Sequence, residues 1–178
     1  MCIALLLLLL SGTSACAEPS TWIHVDTHHR TLSVMQGTEV KAVFRGIALG
    51  RGGVAPFRRA GDGKTPIGVF YVSWINPDSQ YHLFFGLDYP AVMHAEEGYR
   101  AHVIDQRTYR AIVDARRRGE LPPQDTALGG HIGIHGVGRY DPDDARLFDW
   151  TLGCVALTDQ QVDELAQWMS LGTMVVIQ

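Results

Sequence analysis

The chain of 178 residues has few cysteines and no excess of positive charge, and both shortages limit what it can be. Of the three cysteines, Cys2 and Cys16 lie near the start of the chain, so that Cys154 is the one cysteine outside the first 17 residues. The formal net charge of −4 argues against a nucleic-acid partner, because such proteins usually present a basic face. The basic cluster Arg116-Arg117-Arg118 lies at the predicted end of a helix, where cations interact favourably with the helix dipole.

Long hydrophobic runs are also missing, apart from a short one near the start. Residues 4–10 are all apolar, but this run is too short to cross a bilayer, which takes about 20 residues. The small residues Ser14-Ala15-Cys16-Ala17 follow in the pattern of a cleavage site, although no Lys or Arg precedes the run. We therefore predict that residues 1–17 are a signal peptide.

Two interpretations of this leader remain open. Either the chain is cleaved after Ala17, or Cys16 becomes a lipidated first residue. The position three residues before such a cysteine is usually leucine, and here it is Thr13. Both interpretations place the mature protein outside the cytoplasm, where thiols tend to be oxidised. Cys154 would then be the single unmodified thiol, and a lone cysteine in such a compartment calls for a chemical reason.

Short strands dominate the predicted secondary structure. Alternating apolar residues and turn signals predict strands over residues 21–25, 31–36, 41–49, 67–75, 81–87 and 173–177, with turns over 61–66 and 76–79. Helices are predicted from a cap at Asp105 to Gly119, and after Thr158, which forms a capping box with Gln161. No βαβ alternation appears, so we predict a mainly β domain with small helical additions.

A cysteine, two histidines and several glycines lie close together in the last third of the chain. His131-Ile-Gly-Ile-His135-Gly136 precedes Thr151-Leu-Gly153-Cys154, and a thiol near an imidazole suits a cysteine nucleophile with a histidine base. Gly153 permits unusual dihedrals. Backbone N–H groups at such a turn can form an oxyanion hole and, with the imidazole, lower the pKa of the thiol. A cysteine that only fills space is the alternative.

A catalytic imidazole at His135 needs an acceptor for its second ring nitrogen. The Gly136 carbonyl is one candidate, and the carboxylates of Asp143 and Asp149 are two others.

His131 is harder to assign. Ile132 and Ile134 alternate as in a strand, so His131 and His135 are predicted to share a face, roughly 6.5 to 7 Å apart along it. With Cys154 this pair could bind a metal, as in a zinc hydrolase. However, H-x-x-x-H is a zinc signal mainly on a helix. We therefore predict no metal, and a structural or substrate-side role for His131.

Three ordered motifs resemble the L,D-transpeptidase catalytic domain family. His135-Gly136 and then Thr151-Leu-Gly153-Cys154 are similar to its His-Gly, gap, Ser/Thr-x-Gly-Cys signature. Gly61-Asp-Gly-Lys-Thr-Pro-Ile-Gly-Val-Phe70 and Tyr81-His-Leu-Phe-Phe-Gly-Leu-Asp-Tyr-Pro90 resemble two further segments of the family. The resemblance implies that residues 18–178 form one catalytic domain, an L,D-transpeptidase-type β-sandwich of mixed sheets with two or three short helices.

The resemblance also implies a chemistry. Members act on the peptide stems of bacterial peptidoglycan without a metal. We therefore expect this protein to act in the periplasm, peripheral to the membrane at most, and to need no cofactor. By position Cys154 is the nucleophile, His135 is the general base, and the Gly136 carbonyl orients that base. The Gly153 and Cys154 N–H groups form part of the oxyanion hole, and Thr151 supplies a supporting hydroxyl. The acyl-enzyme passes to an amine on an acceptor stem or lipoprotein, or to water.

Three positions depart from the usual family pattern. Many members carry Arg where this chain has Ala156, Asn where it has Asp159, and His where it has Leu152. The missing Arg affects the expected acceptor more than the nucleophile. The alternative function is a cysteine amidase or L,D-carboxypeptidase that hydrolyses stem peptides or releases wall-bound lipoprotein. A wall-binding module without activity is a further alternative, and residues 138–149 are a candidate lid.

Overall fold

Ten strands and three helices make up residues 20–139 and 148–178, the part of the chain that the computed structural model describes. The strands are β1 Thr21–Asp26, β2 Thr31–Gln36, β3 Glu39–Arg45, β4 Val54–Ala55, β5 Thr65–Pro66, β6 Gly68–Ser79, β7 His82–Leu87, β8 Gly133–His135, β9 Val155–Ala156 and β10 Met174–Ile177. The helices are α1 Val92–Arg100, α2 Gln106–Arg117 and α3, which spans Asp159–Ala166. The predicted signal peptide and Asp143 lie outside the described residues.

Eight of these strands form one mixed sheet in the order β3-β2-β1-β10-β6-β7-β8-β9. The pairs β1–β10 and β8–β9 are parallel and the other neighbours are antiparallel, whereas β4 and β5 form a small separate parallel pair. This arrangement confirms the predicted mainly β fold with mixed strand directions and short helices.

The long strand β6 joins the two halves of the sheet. Its residues Gly68 to Tyr71 pair with β10, and its later residues from Val72 onward pair with β7. The register shifts between Val72 and Trp74, and such an irregularity bends a strand. Buried side chains of both halves therefore form one hydrophobic core, as in a sandwich; it includes Ile23, Val25, Leu32, Phe70, Leu87, Ile134, Val155, Val175 and Ile177.

Side-chain caps begin two of the helices, as predicted. The Asp105 carboxylate accepts a hydrogen bond of 2.8 Å from the Thr108 N–H at the start of α2. Thr158 and Gln161 form the reciprocal capping box of α3. Helix α1 was not predicted, because it buries His94, Ala95 and Gly98 rather than a stripe of large apolar residues.

Two predicted boundaries are wrong. Strand β6 continues through Ser79, so the hairpin turn lies at residues 80–81 rather than at 76–79. Strand β3 ends at Arg45, and Gly46 follows with a φ of 71°. In the described part of the chain, no helix combines the length and apolar character needed to span a bilayer.

The segment after β3 supports the cysteine loop instead of extending the sheet. Ala48 and Ala156 exchange backbone hydrogen bonds of 2.9 and 2.8 Å. The Thr151 N–H donates to the Leu49 carbonyl at 3.2 Å, and the Arg51 N–H donates to the Thr151 carbonyl at 2.9 Å. Residues 48–51 therefore hold both ends of the turn that carries Cys154.

Candidate active site

A cleft of about 870 Å³ brings together side chains from β7, β8 and the turn before β9. Its lining includes four of the residues singled out in the sequence, namely Cys154, His135, His131 and Thr151. The predicted nucleophile and the predicted base therefore face the same space.

Strand register explains how Cys154 and His135 come together. Strands β8 and β9 are parallel, with His135 opposite Ala156 and Ile134 opposite Val155. Cys154 precedes β9 and lies two residues before Ala156, so the two side chains point to the same face. Extending this register by one residue pairs Cys154 with Gly133, which lies two residues before His135 on the same face of the sheet.

Backbone groups surround the sulfur. The Cys154 Sγ–H donates to the His131 carbonyl at 3.5 Å, and the Gly133 N–H donates to the sulfur. A Cβ atom at Gly133 would lie 2.4 Å from Cζ of Phe84, so this position has no room for a side chain. In this state the Cys154 thiol is hydrogen-bonded to the His131 carbonyl.

The Cys154 thiol and the His135 imidazole are both uncharged at neutral pH, whereas a lowered thiol pKa was expected. Burial raises the pKa of Cys154 to about 11, although the Gly133 N–H and the positive charge of Arg58 act in the opposite direction. Burial also lowers the pKa of His135 to about 4, against the Gly136 carbonyl and the Asp159 charge, which raise it. The prediction of a lowered thiol pKa is therefore wrong, and at neutral pH both groups are uncharged.

The hydrogen bond of His135 determines which ring nitrogen can act as a base. Its Nδ1 lies 2.6 Å from the Gly136 carbonyl oxygen. A carbonyl only accepts, so Nδ1 carries the proton and Nε2 holds the free lone pair. The Gly136 carbonyl is thus the acceptor among the three candidates, since Asp149 instead accepts from the Leu49 N–H and pairs with Arg30.

Aromatic side chains enclose the imidazole. Tyr81 lies 4.4 Å from the His135 ring centre, Phe84 stacks on it at 5.7 Å and 10°, and Trp150 meets it edge-on at 5.8 Å. These rings leave His135 only 2% exposed, which causes the low pKa. Tyr81 and Phe84 lie in a predicted strand, and no local pattern indicated that they face the site.

Thr151 closes the turn before the cysteine. Its Oγ1 donates to the Cys154 carbonyl at 2.7 Å and accepts from the Gly153 N–H at 3.1 Å. The threonine hydroxyl thus supports the turn. Because the Gly153 N–H already donates to this hydroxyl, its predicted part in an oxyanion hole would require that hydrogen bond to open.

His131 does not belong to the strand, so the prediction that it shares a strand face with His135 is wrong. It has a φ of 54°, and β8 begins two residues later at Gly133. Its ring lies 3.6 Å from Asp125 at the exposed rim of the cleft. Across residues 20–139 and 148–178, no three His, Cys, Asp or Glu side chains gather into a possible metal site.

Residues 20–177 match the family described as the L,D-transpeptidase catalytic domain (YkuD). The chain belongs to this family. A search of curated proteins found no match.

Solved structures share the L,D-transpeptidase fold at low sequence identity. Bd1075 of Bdellovibrio bacteriovorus is 20% identical with a TM-score of 0.57, over 93% of this chain and 50% of that one. The helical cell shape determining protein Pgp2 of Campylobacter jejuni is also 20% identical, with a TM-score of 0.58 over 91% and 48% of the two chains. An L,D-transpeptidase from Xylanimonas cellulosilytica is 14% identical, with a TM-score of 0.50 over 92% and 63%. This chain therefore spans about half the length of the first two.

Asp159 departs from the usual L,D-transpeptidase pattern and has a clear structural role. Its Oδ1 accepts hydrogen bonds from the N–H groups of Val137 and Gly138, at 2.8 and 2.9 Å. A Cβ atom at Gly136 would lie 2.4 Å from the same oxygen. Asp159 thus positions the loop whose Gly136 carbonyl orients His135, a role that the sequence analysis did not assign.

Arg58 is a second residue that the sequence analysis missed in this L,D-transpeptidase domain. It lies between β4 and β5, its side chain is 5% exposed, and it lines the same cleft as Cys154. Gly153 has a φ of 128°, and a Cβ there would lie 2.6 Å from Nη1 of Arg58. Only a glycine fits between the guanidinium and the cysteine turn. At Ala156, by contrast, where many members carry Arg, the side chain is buried in β9.

Proposed function

We propose that this protein is a periplasmic cysteine L,D-transpeptidase that acts on peptidoglycan peptide stems. The observation that carries the proposal is a neutral thiol and a neutral imidazole with a free Nε2 on one wall of a cleft. Membership of the L,D-transpeptidase catalytic domain family supports the substrate class.

The two pKa values favour general-base catalysis over a preformed ion pair. With the thiol near 11 and the imidazole near 4, the thiolate–imidazolium state is rare at rest. His135 therefore takes the thiol proton as the sulfur attacks, rather than beforehand. The imidazolium that forms is held by the Gly136 carbonyl at Nδ1.

In the acylation step, Sγ of Cys154 bonds to the carbonyl carbon at the L-to-D junction while its proton moves to Nε2 of His135. The carbonyl oxygen becomes an oxyanion. The imidazolium then returns the proton to the leaving nitrogen, the C–N bond breaks, and a D-amino acid departs. The product is a thioester on Cys154.

The thioester is consumed by an amine of an acceptor stem, which completes transpeptidation. His135 takes a proton from the attacking amine and gives it to the sulfur. The alternative is attack by water, which would make the protein a stem-trimming carboxypeptidase or an amidase that releases lipoprotein. Ala156 favours this alternative, because the position two residues after the cysteine lacks the cation that many family members carry there.

Incubation with tetrapeptide-stem muropeptides, followed by mass spectrometry, tests the proposal. We expect an acylated Cys154 in the intact mass, and cross-linked or exchanged stems among the products. Trimmed stems alone would assign the hydrolase. Cys154→Ser, with a similar side-chain volume, should lower turnover by several orders of magnitude. Equal turnover by this variant would contradict the assignment of the nucleophile.

We also propose that the protein is exported by its N-terminal leader. The apolar run of residues 4–10 and the small residues after it support this proposal. Fractionation of cells with intact-mass analysis tests it. A mature chain that begins at Glu18 would assign cleavage, a lipidated Cys16 would assign an anchored form, and an unprocessed cytoplasmic chain would contradict export.

A further inference from the structure

The guanidinium of Arg58 is buried in the cleft wall without the hydrogen bonds that such a group needs. Its Nε and Nη1 atoms are shielded from solvent and have no hydrogen-bond partner among residues 20–139 and 148–178. The Oδ1 atom of Asp62 lies 3.6 Å from Nε, so the carboxylate contributes charge but no hydrogen bond. That carboxylate already accepts from the N–H groups of Arg59 and Lys64.

This arrangement is costly unless a ligand completes it. Arginine stays protonated in proteins, so burial cannot neutralise it as it neutralises a histidine. A buried charged group with unsatisfied donors destabilises the fold, and such groups in native structures usually have a functional cause. The Tyr89 ring lies 5.8 Å from the guanidinium carbon, a cation–π contact that covers one face of the group.

Two cationic side chains face the cleft, and the carboxylate nearest to Arg58 is that of Asp62. Arg51 and Arg58 both line the cleft, whereas Asp125, the acidic side chain among the described lining residues, is 97% exposed. A guanidinium N–H without a partner can donate a charge-assisted hydrogen bond to a carboxylate. The chemistry of the site therefore indicates an anionic ligand.

The position of Arg58 relative to the nucleophile narrows the choice of anion. Its Nη1 lies 2.6 Å from where a Cβ of Gly153 would be, and Gly153 directly precedes Cys154. In a peptide donor, the carboxylate carbon of the leaving residue is three bonds from the scissile carbonyl carbon, or within about 4 Å. Arg58 thus lies next to the cysteine turn, on the scale of the one-residue distance that separates a scissile carbonyl from the following carboxylate.

We propose that Arg58 binds the free C-terminal carboxylate of the D-amino acid that Cys154 expels. This inference rests on the proposed function. A guanidinium N–H donates to a carboxylate oxygen and sets the leaving nitrogen beside the site of attack. The protein is therefore selective for donors that end in a free carboxylate at the residue after the scissile bond.

Two donors with the same scissile bond test this selectivity. One is a tetrapeptide stem with a free C-terminal carboxylate, and the other is the same stem with a C-terminal carboxamide. The full chain should show a kcat/KM about 10- to 100-fold higher for the carboxylate donor. In Arg58→Gln this ratio should fall close to one, mainly through loss on the carboxylate donor, and Arg58→Lys should give an intermediate ratio.

Arg59→Gln is the matched control, since Arg59 is exposed in the same loop and does not line the cleft. It should keep the wild-type ratio. An equal loss on both donors in Arg58→Gln, or a wild type that does not discriminate, would overturn the proposal. Thermal unfolding of Arg58→Gln and Arg58→Lys shows whether each variant folds.

A binding assay separates this inference from the proposed function. Alkylation of Cys154 by iodoacetamide is measured with N-acetyl-D-alanine or N-acetyl-D-alaninamide present. The carboxylate compound should slow alkylation of the wild type and of Arg59→Gln but not of Arg58→Gln, whether or not muropeptides are turned over. Equal protection by both compounds would contradict the carboxylate site, whereas protection without turnover would contradict only the proposed function.

Discussion

His135 and Arg58 are both buried basic side chains in the wall of one cleft, yet the protein surrounds them differently. His135 has its Nδ1–H bound to a carbonyl and three aromatic rings around it, and burial makes it neutral. Arg58 keeps its charge and has two donor nitrogens without partners in the described part of the chain. The first environment suits a group that takes up a proton during a reaction. The second suits a group that receives an anion.

Replacing the base should have the largest effect. His135→Gln removes the lone pair at Nε2 while roughly keeping the side-chain size, so kcat with tetrapeptide donors should fall about 10²- to 10⁴-fold. The loss should be equal for carboxylate and carboxamide donors, because the base does not contact the leaving carboxylate. Steady-state kinetics on both donors checks this. A donor-dependent loss in His135→Gln would remove the distinction between the two side chains.

The pH dependence of thiol alkylation is the next test of the comparison. With the pKa of Cys154 raised to about 11 by burial, its reaction with iodoacetamide should accelerate with rising pH up to that value. Arg58→Gln should shift this profile to still higher pH, because the positive charge of Arg58 lowers the thiol pKa. A plateau of full reactivity near neutral pH would instead indicate a preformed thiolate–imidazolium pair.

Sequence patterns predicted the parts of the fold that depend on local chemistry. Alternation located most strands, and the caps at Asp105 and Thr158 marked two helices. Helix α1 carried no such signal, because it buries small and polar residues. The His-Gly and Gly-Cys motifs identified the residues that the structure brings to one cleft.

The missed features depend on tertiary contacts. Arg58 reaches the cysteine turn only after β4 and β5 fold beside it, and no local pattern reports that approach. The raised pKa of the Cys154 thiol was not predicted for the same reason, because the motif does not indicate how deeply the thiol is buried. His131 was misassigned since the apolar residues Ile132 and Ile134 suggest a strand, whereas its own φ of 54° excludes one.

Replacing Asp159 tests the loop that positions the base His135. Asp159→Ala leaves the N–H groups of Val137 and Gly138 without their acceptor, so the free energy of unfolding should fall by about 1 to 3 kcal/mol. Turnover should fall as well, because the Gly136 carbonyl loses its support. Asp159→Asn keeps a side-chain oxygen and should retain most stability. Urea unfolding of the two variants distinguishes these outcomes, and equal losses would contradict a role through hydrogen bonding.

The free energy of unfolding should also depend on pH through His135. Its pKa is about 4 in the folded protein and near 6.5 when the chain is unfolded, so between these values the unfolded state binds more protons. The free energy of unfolding should therefore fall as pH drops from about 6.5 towards 4, by on the order of 1 to 3 kcal/mol. Burial lowers the pKa of His94 in the same direction, so His135→Gln should reduce the slope without abolishing it. Arg58→Gln should leave the slope unchanged, since arginine does not titrate in this range. Urea unfolding at several pH values measures these slopes, and a wild-type slope that persists unchanged in His135→Gln would show that the imidazole is not held neutral by burial.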